Sequence, residues 1–195
     1  MLRTEIFKKY NNGEDLNKKE AEIRISLLAE PNNLENLKEL GALVYYKKNC
    51  KNAKVIYKKL TELEADNGDN FAFLGFLNYE LEEYEEAIEN FNRAIQLLDD
   101  SSFVYFLLGN AYSRIGKIID AIRAYDLAIF NNVDIYAAHI DFANKYEEMG
   151  RLKKAMREYK AAYEIDPRDK KIKEKIEILR EKINNDCNLQ WYTLK

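Results

Sequence analysis

The chain has 195 residues, 47% of them hydrophobic, with only 7 Gly and 2 Pro, which suits one domain or one short solenoid with a buried core and excludes a β-rich or disordered chain. A net charge of −3 gives no global case for binding nucleic acid. Cys50 and Cys187 are too few and too far apart for a disulfide framework or a metal-type cluster.

The first residues lack the apolar core of a signal peptide, and no stretch is long enough to span a membrane. A cytoplasmic location without membrane insertion is expected, although a trimmed leader would leave the same sequence. Residues 1–33 read as a degenerate helical hairpin. Ile6, Phe7 and Tyr10 suit one short helix, which Asn11-Asn12-Gly13 breaks. A second helix is predicted from Leu16 to Ala29, with Ile23, Leu27 and Leu28 on one side. Lys19 stands where later segments carry alanine, which argues against close helix packing there.

From residue 34 onward the pattern repeats. Gly41, Gly75, Gly109 and Ala143 are spaced by 34 residues, and so are Leu40, Leu74, Leu108 and Phe142. Ala53, Ala87, Ala121 and Ala155 form a third column. Tyr57, Phe91, Tyr125 and Tyr159 form a fourth, and Leu60, Ala94, Ala128 and Ala162 a fifth. Such a period marks stacked helix–turn–helix units, here 34–67, 68–101, 102–135 and 136–169. The two prolines, Pro31 and Pro167, fall at one register, after the second helix of a unit, where a residue that cannot continue a helix belongs.

In the third unit Val104, Leu108, Ala111, Tyr112 and Ile115 share one helical face. Gly116 ends that helix, as Gly150 does in the fourth unit. Ile118, Ala121, Ile122, Tyr125 and Ala128 carry the second helix. The small residues are expected to let the two helices of a unit approach, with the second-helix aromatic between neighbouring units. A large side chain at Gly109 or Ala121 should then overpack the hairpin at a cost of about 1–3 kcal/mol. Residues 170–183 read as a capping helix, with Ile172, Ile176, Ile178, Leu179 and Ile183 toward the last unit and a polar back toward water. Asn184-Asn185-Asp186 reads as a helix stop, leaving 184–195 as a tail. Its apolar residues Leu189, Trp191, Tyr192 and Leu194 can pack on their own last helices or enter a groove, which offers a route to a homo-oligomer.

These columns resemble the tetratricopeptide repeat (TPR) family. Ala143, Tyr146, Gly150, Ala155, Tyr159, Ala162 and Pro167 stand where the family motif wants them. So do Leu74-Gly75, Ala87, Phe91 and Ala94, and Leu108-Gly109, Tyr112, Gly116, Ala121, Tyr125 and Ala128. The motif's tryptophan is replaced by Leu37, Phe71, Tyr105 and His139. The resemblance covers 34–169 and implies an all-α fold, a right-handed α-solenoid whose first helices line a concave groove. It also implies a protein-interaction role, often peptide binding. A carboxylate clamp of the kind some TPR domains carry is not supported. Its five positions read Lys38, Ala42, Phe73, Phe103 and Leu107 from the first full unit, and later registers fare no better than Phe106, Asn110, Asp141, Lys171 and Lys175.

The groove positions left free by the motif include Tyr45 and Tyr46, then Phe76 and Tyr79, then Phe103, Phe106 and Asn110, then Asn144. Exposed apolar strips on a concavity mark interaction sites, and aromatic anchors carry much of the energy at interfaces. One reading is a partner-binding groove for a peptide or helix, with Asn110 and Asn144 bonding the ligand backbone. The other is that the aromatics pack repeat on repeat. Charge is uneven as well: residues 62–100 hold 12 acids against Arg93 alone, and residues 151–182 hold 12 bases against 7 acids. Solvated faces account for this, and so would head-to-tail attraction between copies.

No chemistry is legible. His139 is the single histidine, so no paired-histidine metal motif can form, and it occupies a core-type column. No nucleophile motif accompanies it. Gly109 to Lys117 lacks the spacing and the Ser/Thr of a phosphate loop. The expectation is a non-enzymatic adaptor or chaperone-like scaffold without a cofactor. The alternative is a self-assembling structural module.

Overall fold

The computed structural model describes residues 2–8, 10 and 15–193, with side chains as far as Asn185. The described residues form eleven helices and no strand. Two compact units divide at Val133 and Asp134.

The first unit opens with α1 (Leu2–Ile6), followed by α2 (Leu16–Ala29). Three helical hairpins follow: α3 (Leu34–Tyr46) with α4 (Cys50–Leu63), α5 (Gly68–Glu80) with α6 (Tyr84–Leu97), and α7 (Ser102–Arg114) with α8 (Ile118–Phe130). Each helix from α2 to α7 packs on the next, and α1 packs on α5. The second unit pairs α9 (Ile135–Glu148) with α10 (Leu152–Ile165), and α11 (Lys170–Thr193) packs on α10.

Helix starts follow from capping chemistry. Asp15, Asn33, Asn49, Asn67 and Asp134 each accept a backbone N–H of the first turn through their side chain. The turn inside each hairpin uses a left-handed residue at one register: Lys48 (φ 67°), Glu82 (φ 66°), Gly116 (φ 75°) and Gly150 (φ 65°). Glycine adopts this conformation without a Cβ penalty, whereas Lys48 and Glu82 bear one.

The small-residue column has a definite partner. A Cβ on Gly41 would lie 2.6 Å from the Tyr57 ring, one on Gly75 2.8 Å from the Phe91 ring, and one on Gly109 2.6 Å from the Tyr125 ring. The second-helix aromatic therefore lies over the first-helix glycine of its own hairpin, rather than only between neighbouring units. Ala143 and Tyr159 hold the same two registers in α9 and α10 and are fully buried. The alanines Ala53, Ala87, Ala121 and Ala155 are buried beside them.

Several sequence expectations are corrected. Helix α1 ends at Ile6, so Phe7 and Tyr10 follow it rather than belong to it. Leu28 is exposed, and no residue of α2 is buried. Leu16, Ile23 and Leu27 are half-buried, and α2 also meets α3 and its flanks through polar contacts, among them Lys19 with Glu39 at 3.1 Å and Lys47 with Glu20 at 2.5 Å. Ile118 and Ile122 of α8 face outward with Ile119, Ile129 and Phe130, and Ile178 of α11 is half exposed. Asn184-Asn185-Asp186 does not stop α11, which continues to Thr193. No Gly or Pro lies in that helix, and Asn or Asp inside a helix costs no more than about 0.7 kcal/mol each. The expected break at Asn11-Asn12-Gly13, the side chains of Leu189, Trp191 and Tyr192, and Leu194 altogether lie outside the described residues.

The turn register gives a direct test. Replacing Glu82 by glycine relieves the left-handed strain without removing a buried group, so the chain should gain about 0.5–1 kcal/mol in denaturant unfolding. The same change at Lys48 should act alike.

Candidate functional site

The interaction face expected from the repeats is that of the first helices. In the first unit it is not bare, because residues 2–8 and 10 of the same chain are seated on it. Leu2, Ile6 and Tyr10 are buried there. The backbone N–H of Leu2 donates to Asp69 Oδ1 on α5 at 3.2 Å. The Arg3 guanidinium stands 5.5 Å from the centre of the Phe103 ring on α7, and Phe7 meets the same ring edge-on at 6.3 Å. The Tyr10 ring tilts against Tyr46 of α3 at 4.9 Å. Lys8 pairs with Glu39 of α3. The segment thus touches α3, α5 and α7.

Its most specific contact is with α4. The Tyr57 hydroxyl, buried in the hairpin, donates to Glu5 Oε2 at 2.9 Å. Burial, and then the Glu5 carboxylate, push that hydroxyl well above its usual range, so it stays a donor. A cavity of about 20 Å³, room for a single water, lies beneath, lined by Leu2, Glu5, Lys38, Tyr57, Asn70 and Phe73 among others.

The repeat explains why Glu5 is needed. Asn110 Oδ1 accepts the Tyr125 hydroxyl at 2.7 Å, and Asn144 Oδ1 accepts the Tyr159 hydroxyl at 2.7 Å. The equivalent pair in α5 and α6 is Phe76 and Phe91, with no hydroxyl to satisfy. In α3 and α4 the pair is Ala42 and Tyr57. Alanine offers no acceptor, and Glu5 supplies it from outside the hairpin. Asn110 and Asn144, expected to bond a ligand backbone, therefore serve their own hairpins.

The remaining expected site residues divide. Tyr45, Phe76 and Phe106 are 1%, 0% and 0% exposed, so they are core rather than an open strip. Tyr45 meets Phe73 and Phe76 in T-shaped pairs at 5.9 and 5.3 Å, and Phe106 lies 6.3 Å from Tyr125. Burial follows from their position between successive helices, where a ring finds more apolar contact than on the face. Tyr79 is also buried, and its hydroxyl accepts from Arg114 Nε at 3.3 Å. Tyr46 and Phe103 alone among the expected aromatics stay partly accessible, and they meet Tyr10 and Phe7 respectively. The residues missed were Leu2, Glu5, Ile6, Glu39, Tyr57 and Asp69. One signal was readable: Tyr125 and Tyr159 each have an asparagine fifteen residues earlier, whereas Tyr57 has Ala42.

Charge tightens the seat. Burial raises the Glu39 carboxyl, but the hydrogen bonds from Lys8 and Lys19 outweigh it and hold the group below its ordinary value of 4.5. Glu64 is likewise lowered, chiefly by its hydrogen bond with Lys38. In the second unit His139 Nδ1 lies 2.8 Å from Glu158 Oε2, both buried in the hairpin. Among the described residues no group of three or more His, Cys, Asp or Glu converges as metal ligands would. No helix among them is long and apolar enough to cross a membrane.

Hairpins of this length and packing define an α-helical repeat protein, and comparison with known proteins gives the repeat class. Residues 75–116 match the TPR repeat family, and residues 104–129 and 137–169 match the tetratricopeptide repeat family. The crystal structure of MamA is 27% identical, with 86% of this chain and 92% of that one covered and a TM-score of 0.62. A thermophilic TPR protein of Thermus thermophilus, TTC0263, is 17% identical over 84% of this chain and 90% of its own, with a TM-score of 0.56. YrrB, described as a TPR protein with an unusual peptide-binding site, is 17% identical over 84% of each chain, with a TM-score of 0.55. No curated protein matches the sequence. Residues 75–129 and 137–169 thus carry tetratricopeptide repeats, and the fold is an all-α solenoid of the kind that forms protein–protein interaction modules.

Two outcomes test this geometry. In a double-mutant cycle on the full chain, Asn110→Ala and Tyr125→Phe should couple by about 1 kcal/mol in unfolding free energy; a ligand-only role for Asn110 would give no coupling. A carboxyl depressed in the folded chain contributes stability that is present above its unfolded value and lost as pH falls through the folded one. Glu39→Gln should therefore flatten the stability–pH curve below pH 4.5, measured by thermal melts.

Proposed function

We propose that the chain is a non-enzymatic scaffold, an adaptor or chaperone-like protein, that holds a peptide or short helix of a partner protein on the first-helix face of α3, α5 and α7. One observation carries this reading. That face already seats a short helical segment through apolar, ionic and hydrogen-bonding contacts together, which is how a helix-in-groove module engages its ligand. The similarity to YrrB, a TPR protein with a peptide-binding site, is in keeping with it. Phe103 and Tyr46 are the anchors within reach of a ligand. Tyr45, Phe76, Tyr79 and Phe106 support them from below, and Asn110 and Asn144 fix the hairpins.

Capture of a partner protein on the immobilised full chain should fall at least severalfold with Phe103→Asp while helicity, read by circular dichroism, is kept. Phe76→Ala should behave differently and lower stability by about 3–5 kcal/mol, as truncation of a buried ring does. Undiminished capture by a folded Phe103→Asp chain would move the function off this face.

A further inference from the structure

We propose that the segment of residues 2–8 and 10 is a displaceable internal occupant of the interaction face, and that the partner replacing it is a short peptide of the same chemistry: one helical turn reading Leu-x-x-Glu-Ile, followed by an aromatic residue. This rests on the scaffold reading above and names the ligand class for the same face.

Three features of the segment and its seat point to this. First, α1 has only five residues, far below the length at which a helix stands alone in water. Its helical state is held by the seat, and a peptide that brings the same contacts can hold it equally well. Second, the seat asks for particular chemistry. Leu2 and Ile6 are four residues apart and both buried, as on one side of a helical turn. Glu5 sits between them and meets a hydroxyl that its own hairpin leaves without an acceptor, because Ala42 occupies the register that Asn110 and Asn144 fill elsewhere. An incoming peptide without a carboxylate there would bury the Tyr57 donor unsatisfied. Third, the flanking contacts are of the exchangeable kind. The Lys8–Glu39 pair and the Arg3–Phe103 contact lie at partly accessible positions, where attraction is modest. A segment joined to its own seat competes at an effective concentration in the millimolar range, so it screens the face from weak ligands and yields to a matched one.

The test uses the full chain and a fluorescein-labelled peptide of residues 1–10, MLRTEIFKKY. In a Leu2→Asp/Ile6→Asp chain the internal segment can no longer seat. That chain should bind the peptide about tenfold or more tighter than the unmodified chain does, by fluorescence anisotropy. A peptide carrying Glu5→Ala should bind the opened chain about tenfold more weakly, and the difference should vanish when the opened chain also carries Tyr57→Phe. Equal binding by both chains, binding by neither, or indifference to Glu5 overturns the inference. So does a dimer of the unmodified chain in light scattering that dissociates with Ile6→Asp, since the occupant would then be a second copy. If the double variant does not fold, hydrogen exchange on the unmodified chain decides. Amides of residues 2–8 that open well before α3 and α5 support the proposal, and opening only with global unfolding overturns it. Loss of the peptide result with Phe103-dependent partner capture intact sinks this inference and leaves the scaffold. Peptide binding with no Phe103-dependent capture does the reverse.

Discussion

The structure depends on one steric match, repeated hairpin by hairpin: the ring of a second helix laid over the smallest residue of the first. Gly41, Gly75 and Gly109 leave less than 3 Å between an added Cβ and the rings of Tyr57, Phe91 and Tyr125. In a close-packed interior such a position has no slack. The match sets how near two helices of a hairpin approach and in what register. The rest of the apolar columns then fall into place around it.

That match creates a second problem, because a tyrosine ring carries its hydroxyl into the interior with it. A buried donor must find an acceptor. The repeats answer in three ways. Asparagine on the first helix accepts the hydrogen bond in α7–α8 and, together with Glu147, in α9–α10, phenylalanine removes the need in α5–α6, and Glu5 is recruited in α3–α4. The first answers are internal to the hairpin. The last makes a hairpin depend on a segment that comes from elsewhere in the chain, and it is where structure turns toward recognition.

Much of the fold was legible because it is periodic. Columns of Gly, Ala and aromatic residues at a fixed spacing report directly on packing that recurs. The candidate site was less legible, for a physical reason. Tyr45, Phe76 and Phe106 stand at positions that a motif leaves free, and a free position can be surface or the seam between successive helices. Spacing within one helix does not distinguish the two, and burial shows that they lie in the seam. A short helix was readable at Ile6, but the seating of residues 2–8 and 10 on the first helices was not, because they belong to no column. Their place is set by contacts with α3, α4, α5 and α7 that are distant in sequence. The end of α11 was missed for the opposite reason: polar residues such as Asn184 and Asn185 weaken a helix without ending it.

The left-handed turn register bears on how this chain moves. Lys48 and Glu82 hold the same backbone shape as Gly116 and Gly150 while carrying side chains that oppose it. A strained closure costs about 1–2 kcal/mol per residue, so the hairpins α3–α4 and α5–α6 are sprung, while α7–α8 and α9–α10 are relaxed. Fluctuations that fray single hairpins should concentrate where that tension is stored. The sprung hairpins are the two that supply Tyr57 and Asp69 to the seat of residues 2–8 and 10, so the stored tension lies directly beneath the segment whose exchange is proposed.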